Sequence, residues 1–304
     1  MITKDFIKTR IMIIGSNGML GQRLTNFFSA SRDVELLCTS VEGSSFIENV
    51  DYRQVDITQK SKLRESVLDF FPDYIINTAA YTNVDKSETE RETAWKINVT
   101  GVENIALYAW TVDAHLIHLS TDYIFDGKNG PYTEDDKPCP LGYYGRTKLA
   151  SENSIRTSGV RFTIIRTNVL YGPAQFGRPD FVKWVVNSLK EKKEVKIVTD
   201  QINNPTYIDD VVSAINKIIS FKKEGIYNIG GEEILSRYEF TKRIAEYFRL
   251  DKSLIKPVLT KDLNQAALRP LKSGLITLRA QTELGFKATP IEVSLGLMQK
   301  ELKL

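Results

Sequence analysis

Three residues in the middle of the chain have side chains that could together transfer a proton. Tyr144 and Lys148 lie four residues apart in a helical pattern, and Thr121 closely follows the apolar run 115–119, which is typical of a buried strand. Residues at this spacing share one face of a helix, so the ammonium group is expected to lower the pKa of the phenol. With Thr121 holding an oxygen beside the phenol, the three predict acid–base chemistry on a carbonyl or an alcohol. Pairs of Tyr and Lys at this spacing are common, so these two could equally be ordinary surface residues. An independent motif is needed to decide between a catalytic pair and surface residues.

That motif stands near the start of the chain. The apolar run 10–14 leads directly into Gly15, Gly18 and Gly21, and a helical pattern follows. In a strand–turn–helix unit the first glycine permits the tight turn, the second lets a diphosphate approach the backbone, and the third lets the helix pack on the strand. The free N–H groups at the helix start then face the phosphates. The residues of this turn predicted to contact a dinucleotide are Gly15, Asn17, Gly18, Met19, Leu20 and Gly21.

The ends of the next two predicted strands extend the dinucleotide site. The second strand, 34–39, ends at Thr39 with another hydroxyl residue behind it and no acid. An acid here would repel a 2′-phosphate, whereas hydroxyls could bind one, so we expect NADP or NAD as the cofactor, with a preference for NADPH. Asp56 and Ile57 end the predicted third strand, 52–57. Asp56 is placed either to cap the following segment or to contact the adenine.

Small residues follow the predicted fourth strand, 74–77. Ala79 and Ala80, with Tyr81 behind them, leave room for a cofactor against the backbone, although tight packing of a helix on the strand would explain them equally. Asn98 lies inside the next predicted helix, where an amide is unusual unless it has a hydrogen-bonding partner.

Composition limits the class of protein. The 304 residues are 42% hydrophobic and 26% charged, with a formal net charge of +3, as in an ordinary globular protein. No basic run stands out, so nucleic acid is not expected as a partner, and the apolar stretches are too short for a membrane span. Cys38 and Cys139 lack metal-ligand spacing, so we expect a reducing cytoplasm and no metal site.

With these motifs the chain resembles the extended short-chain dehydrogenase/reductase family, and within it the dTDP-4-dehydrorhamnose reductase group. The resemblance spans nearly the whole chain and rests on the segments 15–21, 77–86, 120–127, 144–148, 166–167, 204–207 and 269–270. It implies an α/β fold, a Rossmann-type doubly wound parallel sheet with a smaller C-terminal α/β substrate lobe. We expect the cofactor-binding domain in 1–167 with returns near 206–230, and the substrate-binding lobe in 168–205 and 231–304.

The resemblance also implies a function. Thr121, Tyr144 and Lys148 would be the catalytic triad of an NAD(P)H-dependent reduction of a 4-keto nucleotide sugar, dTDP-4-dehydrorhamnose to dTDP-rhamnose being the expected reaction. Tyr144 and Lys148 would also contact the cofactor, and Asn98 would help to relay protons to the lysine. A homodimer is a possible assembly.

The residues expected to contact the substrate are Val84, Asp122, Tyr123, Asn168 and Arg269. Arg269 suits the diphosphate because a guanidinium fork matches phosphate oxygens, although a surface ion pair would explain it equally. The resemblance implies a tryptophan in contact with the sugar at the position where this chain has Val169. Because that tryptophan is absent, the identity of the sugar stays open.

Two other interpretations stay open. An epimerase would share the fold, the cofactor and the triad. The resemblance implies that a dehydratase would have a glutamate as its base at the position of Tyr123. This chain has no glutamate there, so elimination would lack its base. A non-catalytic binding subunit is the second interpretation, because the regulatory β subunit of methionine adenosyltransferase resembles the same branch. The intact Thr121, Tyr144 and Lys148 favour catalysis.

Overall fold

The computed structural model of the chain describes residues 8–302. Within them the strands are β1 (Thr9–Ile14), β2 (Val34–Ser40), β3 (Asp51–Gln54), β4 (Tyr74–Asn77), β5 (His115–Thr121), β6 (Phe162–Thr167), β7 (Leu170–Tyr171), β8 (Val195–Val198), β9 (Ile202–Asn203), β10 (Thr206–Tyr207), β11 (Gly225–Asn228), β12 (Leu235–Ser236) and β13 (Ile255–Val258). The α-helices are α1 (Met19–Ser29), α2 (Lys60–Phe70), α3 (Lys86–Thr89), α4 (Arg91–Trp95), α5 (Gly101–Thr111), α6 (Tyr143–Thr157), α7 (Phe181–Lys190), α8 (Ile208–Phe221), α9 (Arg237–Tyr247), α10 (Leu278–Leu284) and α11 (Ile291–Leu302). A π-helix, Lys96–Thr100, separates α4 from α5, and 3₁₀ turns lie at Asp122–Ile124, Lys252–Leu254 and Thr260–Asp262.

Seven of these strands form one parallel sheet in the order β11-β6-β5-β4-β1-β2-β3. The chain builds outward from β1 to β3, then returns to β4 on the other side of β1 and continues through β5 and β6 to β11. This confirms the predicted doubly wound α/β fold. In such sheets a ligand lies outside the carboxyl ends of the strands where the order reverses, which here is between β1 and β4.

The first strand shows how the sequence produces the layers on either side of the sheet. Ile11 and Ile13 join one core with α1, α7, α8, α9 and α11, whereas Met12 and Ile14 join another with α2, α5 and α6. Successive side chains of a strand alternate between faces, and here both faces are covered, so all four side chains are at most 1% exposed. A continuous apolar run is what such a strand requires.

The third strand is shorter than expected. It ends at Gln54 rather than at residue 57, because Asp56 caps the turn that follows: its Oδ1 accepts the N–H of Thr58 at 2.9 Å. Asp56 therefore caps the segment that follows it, which is the first of the two roles expected from the sequence. It lies at the edge of the sheet, beside the dinucleotide turn.

After β6 the chain alternates between the main sheet and smaller pieces. β11 returns to the sheet beside β6, while β7 pairs with β10, β8 with β13 and β9 with β12 in three short two-stranded sheets. The division into a cofactor domain and a substrate lobe stays a prediction. No helix between residues 8 and 302 combines the length and apolarity needed to cross a membrane.

Candidate active site

A cavity of about 1090 Å³ opens at the carboxyl ends of β1, β4, β5 and β6. A single small-molecule pocket usually encloses roughly 300–1,000 Å³, so this cavity has room for more than one ligand. The sequence-predicted residues that line it are Gly15, Gly18, Met19, Leu20, Asp56, Ile57, Ala79, Ala80, Val84, Thr121, Asp122, Tyr123, Tyr144, Lys148 and Asn168.

Thr121 and Tyr144 come together because α6 packs against the end of β5. Thr121 is the last residue of β5, and its Oγ1 accepts the N–H of Tyr123 at 3.2 Å, which starts the 3₁₀ turn. Gly145 packs on that turn, and a Cβ atom there would stand 2.1 Å from the carbonyl oxygen of Tyr123. The rings of Tyr144 and Tyr123 meet edge-to-face with their centroids 5.7 Å apart. A glycine in α6 is therefore what lets the phenol approach the end of β5.

The acidity of the Tyr144 phenol is set by its surroundings. Burial raises the pKa of Tyr144 above its ordinary value, the charge of Asp122 raises it further, and the Thr121 hydroxyl lowers it. The net shift is opposite to the one expected from the spacing to Lys148, because helical spacing carries no information about burial. The phenol therefore keeps its proton at neutral pH, which is the state that a proton donor needs.

Lys148, one helical turn further on, is also buried. Its ammonium donates to the carbonyl oxygen of Leu119 at 2.6 Å, and its Nζ lies 3.1 Å from Nε2 of His118. Burial lowers the pKa of Lys148 to about 8, although the carboxylate of Glu152 opposes the change. The lysine can therefore gain or lose a proton near neutral pH.

His118 contacts the lysine from the middle of β5, and its tautomer follows from its other partners. Asn77 Oδ1 accepts the N–H of Ala79 at 3.1 Å, so the Asn77 amide presents its NH₂ group to Nδ1 of His118, also 3.1 Å away. Burial holds the pKa of His118 well below its usual range, so the ring is neutral and carries its hydrogen on Nε2. Nε2–H then faces Lys148 and Ser151, an arrangement that favours the neutral amine of the lysine.

Asn98 has the partners that the sequence required, but Lys148 is not one of them. It lies in the π-helix, where its amide accepts the N–H of Tyr81 at 2.7 Å and donates to the carbonyl oxygen of Tyr81 and to Oγ1 of Thr147. Asn98 thus clamps the segment after β4 onto α6. Single turns of π-helix often occur at functional sites.

The glycine turn fits the geometry expected for binding phosphates. Gly15 has φ +81°, and a Cβ on it would stand 2.7 Å from the backbone nitrogen of Ala79. Gly21 packs so tightly that a Cβ would stand 2.2 Å from the carbonyl oxygen of Gly15. Gly18 is the N-cap of α1, and no side chain caps that helix, so its first N–H groups remain available to an anion.

The end of β2 differs from the sequence prediction. Thr39 does not line the cavity, because it is fully buried and its Oγ1 donates to the carbonyl oxygen of Ile13. An acid does line the cavity here: Glu42 curls back and accepts hydrogen bonds from Oγ of Ser40 and, at 3.2 Å, from Nδ2 of Asn17. Partial burial raises the pKa of Glu42, but these bonds lower it below its ordinary value, so the group is a carboxylate at neutral pH.

Comparison with known proteins gives a family. The family model that matches is the RmlD substrate binding domain, over residues 9–304. The chain belongs to this family.

Individual relatives agree with that assignment. The dTDP-4-dehydrorhamnose reductase of Aggregatibacter actinomycetemcomitans is 33% identical over 290 residues, which are 91% of this chain and 94% of that protein. A solved dTDP-4-dehydrorhamnose reductase from Bacillus anthracis, in complex with NADP, is 33% identical, with a TM-score of 0.84 over 97% of this chain and 99% of that one. Methionine adenosyltransferase 2 subunit beta of Rattus norvegicus is 28% identical over 94% of this chain and 86% of that protein. The resemblance to the reductase group is thereby confirmed.

In this member of the RmlD family, several predicted contact residues stand behind the cavity wall. Besides Thr39, those that do not line the cavity are Asn17, Gly21, Tyr81, Asn98 and Arg269. Asn17 holds the loop after β2 through Glu42 and two backbone groups. The Tyr81 hydroxyl donates to Glu90 at 2.6 Å. Both therefore support the wall rather than form it.

Arg269 is committed elsewhere. Its guanidinium forms a two-pronged ion pair with Asp85, at 3.0 and 2.6 Å, and also donates to the carbonyl oxygen of Ala267. The ion-pair interpretation of Arg269 therefore describes the structure better than the diphosphate interpretation. The pair fastens the segment around residue 269 to the loop after β4.

The expected substrate side of the cavity is formed by residues after β5 and β6. Burial raises the pKa of Asp122 to about 6, although hydrogen bonds from Ser273 and Thr121 lower it. Asn168 lines the wall, but its amide is occupied by Asn204 and by neighbouring groups. Val169 has φ +34°, an uncommon conformation for a β-branched residue, and such strain is often found at functional sites.

Among the residues of the cavity wall that were not predicted as site residues, three have side chains that bear on ligand binding. Glu42 follows Gly21 by about 20 residues, which is the distance at which dinucleotide-binding sites commonly have an acid. Glu42 could therefore have been predicted from the sequence as a cofactor-binding residue. Thr167, the cross-strand neighbour of Thr121, is buried and its Oγ1 has no hydrogen-bonding partner among residues 8–302. Arg237 starts α9, and nothing in its sequence surroundings indicated a ligand. Within the same described residues, no group of three acids, histidines or cysteines is placed to hold a metal ion.

Proposed function

We propose that this protein reduces the 4-keto group of a nucleotide sugar with a nicotinamide cofactor, and that the reaction converts dTDP-4-dehydrorhamnose to dTDP-rhamnose. The observation that carries the proposal is that Thr121, Tyr144 and Lys148 share one cavity with the glycine turn of β1 and α1. The reductases of A. actinomycetemcomitans and B. anthracis support the choice of substrate.

The chain fits a dinucleotide at the glycine turn. Gly15 and Gly18 have no side chains, so a ligand can approach the backbone there. The start of α1, which no side chain caps, offers N–H groups to a diphosphate. When bound, the cofactor supplies the hydride that adds to the keto carbon. The remaining tasks fall to the protein, which must hold the keto oxygen and give it a proton.

Tyr144 is the proton donor in this proposal. Its phenol is protonated at neutral pH and stands beside Thr121. The Thr121 hydroxyl donates to Oδ1 of Asp122 at 3.1 Å and would turn to donate to the substrate oxygen instead. As the hydride reaches carbon, the keto oxygen takes the phenolic proton and becomes the alcohol. Lys148, with a pKa of about 8, then lies one turn away to stabilise the phenolate and to restore its proton.

Glu42 bears on the choice between the two nicotinamide cofactors. Its carboxylate lies at the end of β2, where an acid commonly binds the ribose hydroxyls. The same charge would repel the 2′-phosphate of NADPH, so we propose that this chain prefers NADH, contrary to the preference expected from Thr39. The B. anthracis relative was solved with NADP, which supports the nicotinamide class without deciding the preference.

The cofactor proposal is tested with Glu42→Gln, which keeps the size of the side chain and removes its charge. We expect wild type to have the higher kcat/KM with NADH, and the variant to gain about tenfold or more with NADPH relative to NADH. An unchanged ratio would mean that another residue reads the 2′ position.

The main proposal is tested by following NAD(P)H absorbance with purified protein and dTDP-4-dehydrorhamnose. General acid catalysis typically contributes roughly 10²- to 10⁴-fold, so Tyr144→Phe should lose at least about 99% of turnover while still binding the cofactor. Wild-type protein that binds NADH tightly but reduces no 4-keto-6-deoxy nucleotide sugar would instead favour a binding subunit.

A further inference from the structure

Arg237 stands out among the charged residues of the cavity. It is the first residue of α9, its half-buried side chain lines the cavity, and its guanidinium lies over the ring of Phe181 at 4.9 Å from the centroid. Among residues 8–302, no carboxylate forms an ion pair with it and no acceptor hydrogen-bonds its guanidinium. Two other arginines with little exposed side chain have carboxylate partners: Arg166 pairs with Glu152 at 2.8 Å and Arg269 with Asp85 at 2.6 Å.

The positive charge of Arg237 lies at one end of the cavity. The groups whose charges act on it are Asp122, Tyr123 and Arg269, and the first two directly follow Thr121 at the end of β5. The glycine turn, by contrast, follows β1, two strands away in the sheet. The guanidinium therefore lies near the residues that follow β5, whereas the dinucleotide turn follows β1.

We propose that Arg237 binds the diphosphate of the nucleotide-sugar substrate, an inference that rests on the proposed function. The planar fork of a guanidinium makes two parallel hydrogen bonds to phosphate oxygens, and its stacking on Phe181 fixes the plane of the fork. Arg269, which the sequence suggested for this task, keeps Asp85 as its partner and holds the loop in place.

The test measures binding of free nucleoside diphosphates (dTDP, UDP and GDP) by titration calorimetry. Hydrogen bonds to a charged group are strong, so Arg237→Gln should weaken the tightest of these ligands roughly 10- to 100-fold. Arg237→Lys keeps the positive charge but lacks the guanidinium fork, so its affinity for the nucleoside diphosphate should lie between those of Arg237→Gln and wild type. NADH carries its diphosphate at the glycine turn, so its affinity should be unchanged in both variants.

Arg243→Gln is the matched control. It removes the same charge from the same helix, but Arg243 is exposed and pairs with Glu233 and Glu292 outside the cavity. In the reductase assay Arg237→Gln should raise the KM of the nucleotide sugar while kcat changes less than about threefold.

The outcomes separate this inference from the proposed function. Wild type that reduces dTDP-4-dehydrorhamnose, together with an Arg237→Gln variant that binds dTDP as tightly as wild type, would overturn the assignment of Arg237 alone. Equal losses of dTDP and NADH affinity would also overturn it, because they would indicate a structural role. Wild type that binds none of the nucleoside diphosphates and reduces no 4-keto nucleotide sugar would overturn both proposals.

Discussion

Replacing Gly145 with alanine should uncouple Tyr144 from Thr121 without touching either residue. The added Cβ would stand 2.1 Å from the carbonyl oxygen and 3.0 Å from the carbonyl carbon of Tyr123, with Pro140 also at 3.0 Å. Because the oxygen belongs to the backbone of the 3₁₀ turn, α6 and the turn have to separate by roughly 1 Å. A displacement of about 1 Å at a reacting group can cost roughly 10²-fold in rate, and overpacking of this kind costs about 1–3 kcal/mol of stability.

The assay compares kcat and the thermal midpoint of Gly145→Ala with those of wild type and of Asn153→Ala, an exposed position further along the same helix. We expect turnover to fall about 10²-fold. Binding of NADH should persist, because the nearest neighbours of the added Cβ are Tyr123 and Pro140 rather than residues of the glycine turn. A variant that is stable, binds NADH and turns over within about threefold of wild type would refute the argument that close packing of α6 positions the phenol.

Three further outcomes follow from the same site. Thr121→Val nearly conserves volume but removes the hydroxyl beside the keto oxygen, so kcat should fall about 10²-fold, and a loss below threefold would exclude that role. Burial lowers the pKa of Lys148 to about 8, so its ammonium is present below that pH and lost above it. The rate of reduction should therefore decline above about pH 8, and a flat profile to about pH 9.5 would contradict the assignment. Glu152→Gln leaves the guanidinium of Arg166, which is 1% exposed, without its counter-charge. Urea unfolding should show a loss of about 3–5 kcal/mol, and a loss under about 1 kcal/mol would show that the pair is dispensable.

The features that could be predicted from the sequence are those set by local pattern. The run before Gly15 is apolar throughout because β1 is covered on both faces, and the glycines are required by distances within one strand–turn–helix unit. The fold class was implied by the family resemblance, and the glycine unit at residues 15–21 is one of the segments on which that resemblance rests. These features involve residues near one another in the chain, where a sequence pattern and a structure correspond most directly.

The features that were missed depend on contacts between distant parts of the chain. The sequence suggested Arg269 for the diphosphate and gave no such indication for Arg237. What separates the two arginines in the structure is that Asp85, 184 residues before Arg269, pairs with Arg269 only. Thr39 was chosen because it ends a strand, yet its side chain turns back onto β1 and leaves the cavity to Glu42. Burial, which decides the pKa of Tyr144, is a property of the whole fold.

Two of the unpredicted charged residues of the cavity, Glu42 and Arg237, lie near different ligands. Glu42 follows the end of β2, and Arg237 lies near the residues that follow β5. These two strands are three positions apart in the sheet, which corresponds to roughly 14 Å between the strands. Residues more than about 7–10 Å apart that share no partner usually act independently, so we expect each charge to act chiefly on the ligand next to it. A carboxylate at one end then selects a cofactor without a 2′-phosphate, while a guanidinium at the other retains a substrate with a diphosphate. Removing both charges should therefore change cofactor preference and substrate KM independently, with free energies that add within about 0.5 kcal/mol in a double-mutant cycle. A coupling larger than about 1 kcal/mol would show that the two ends are not separate.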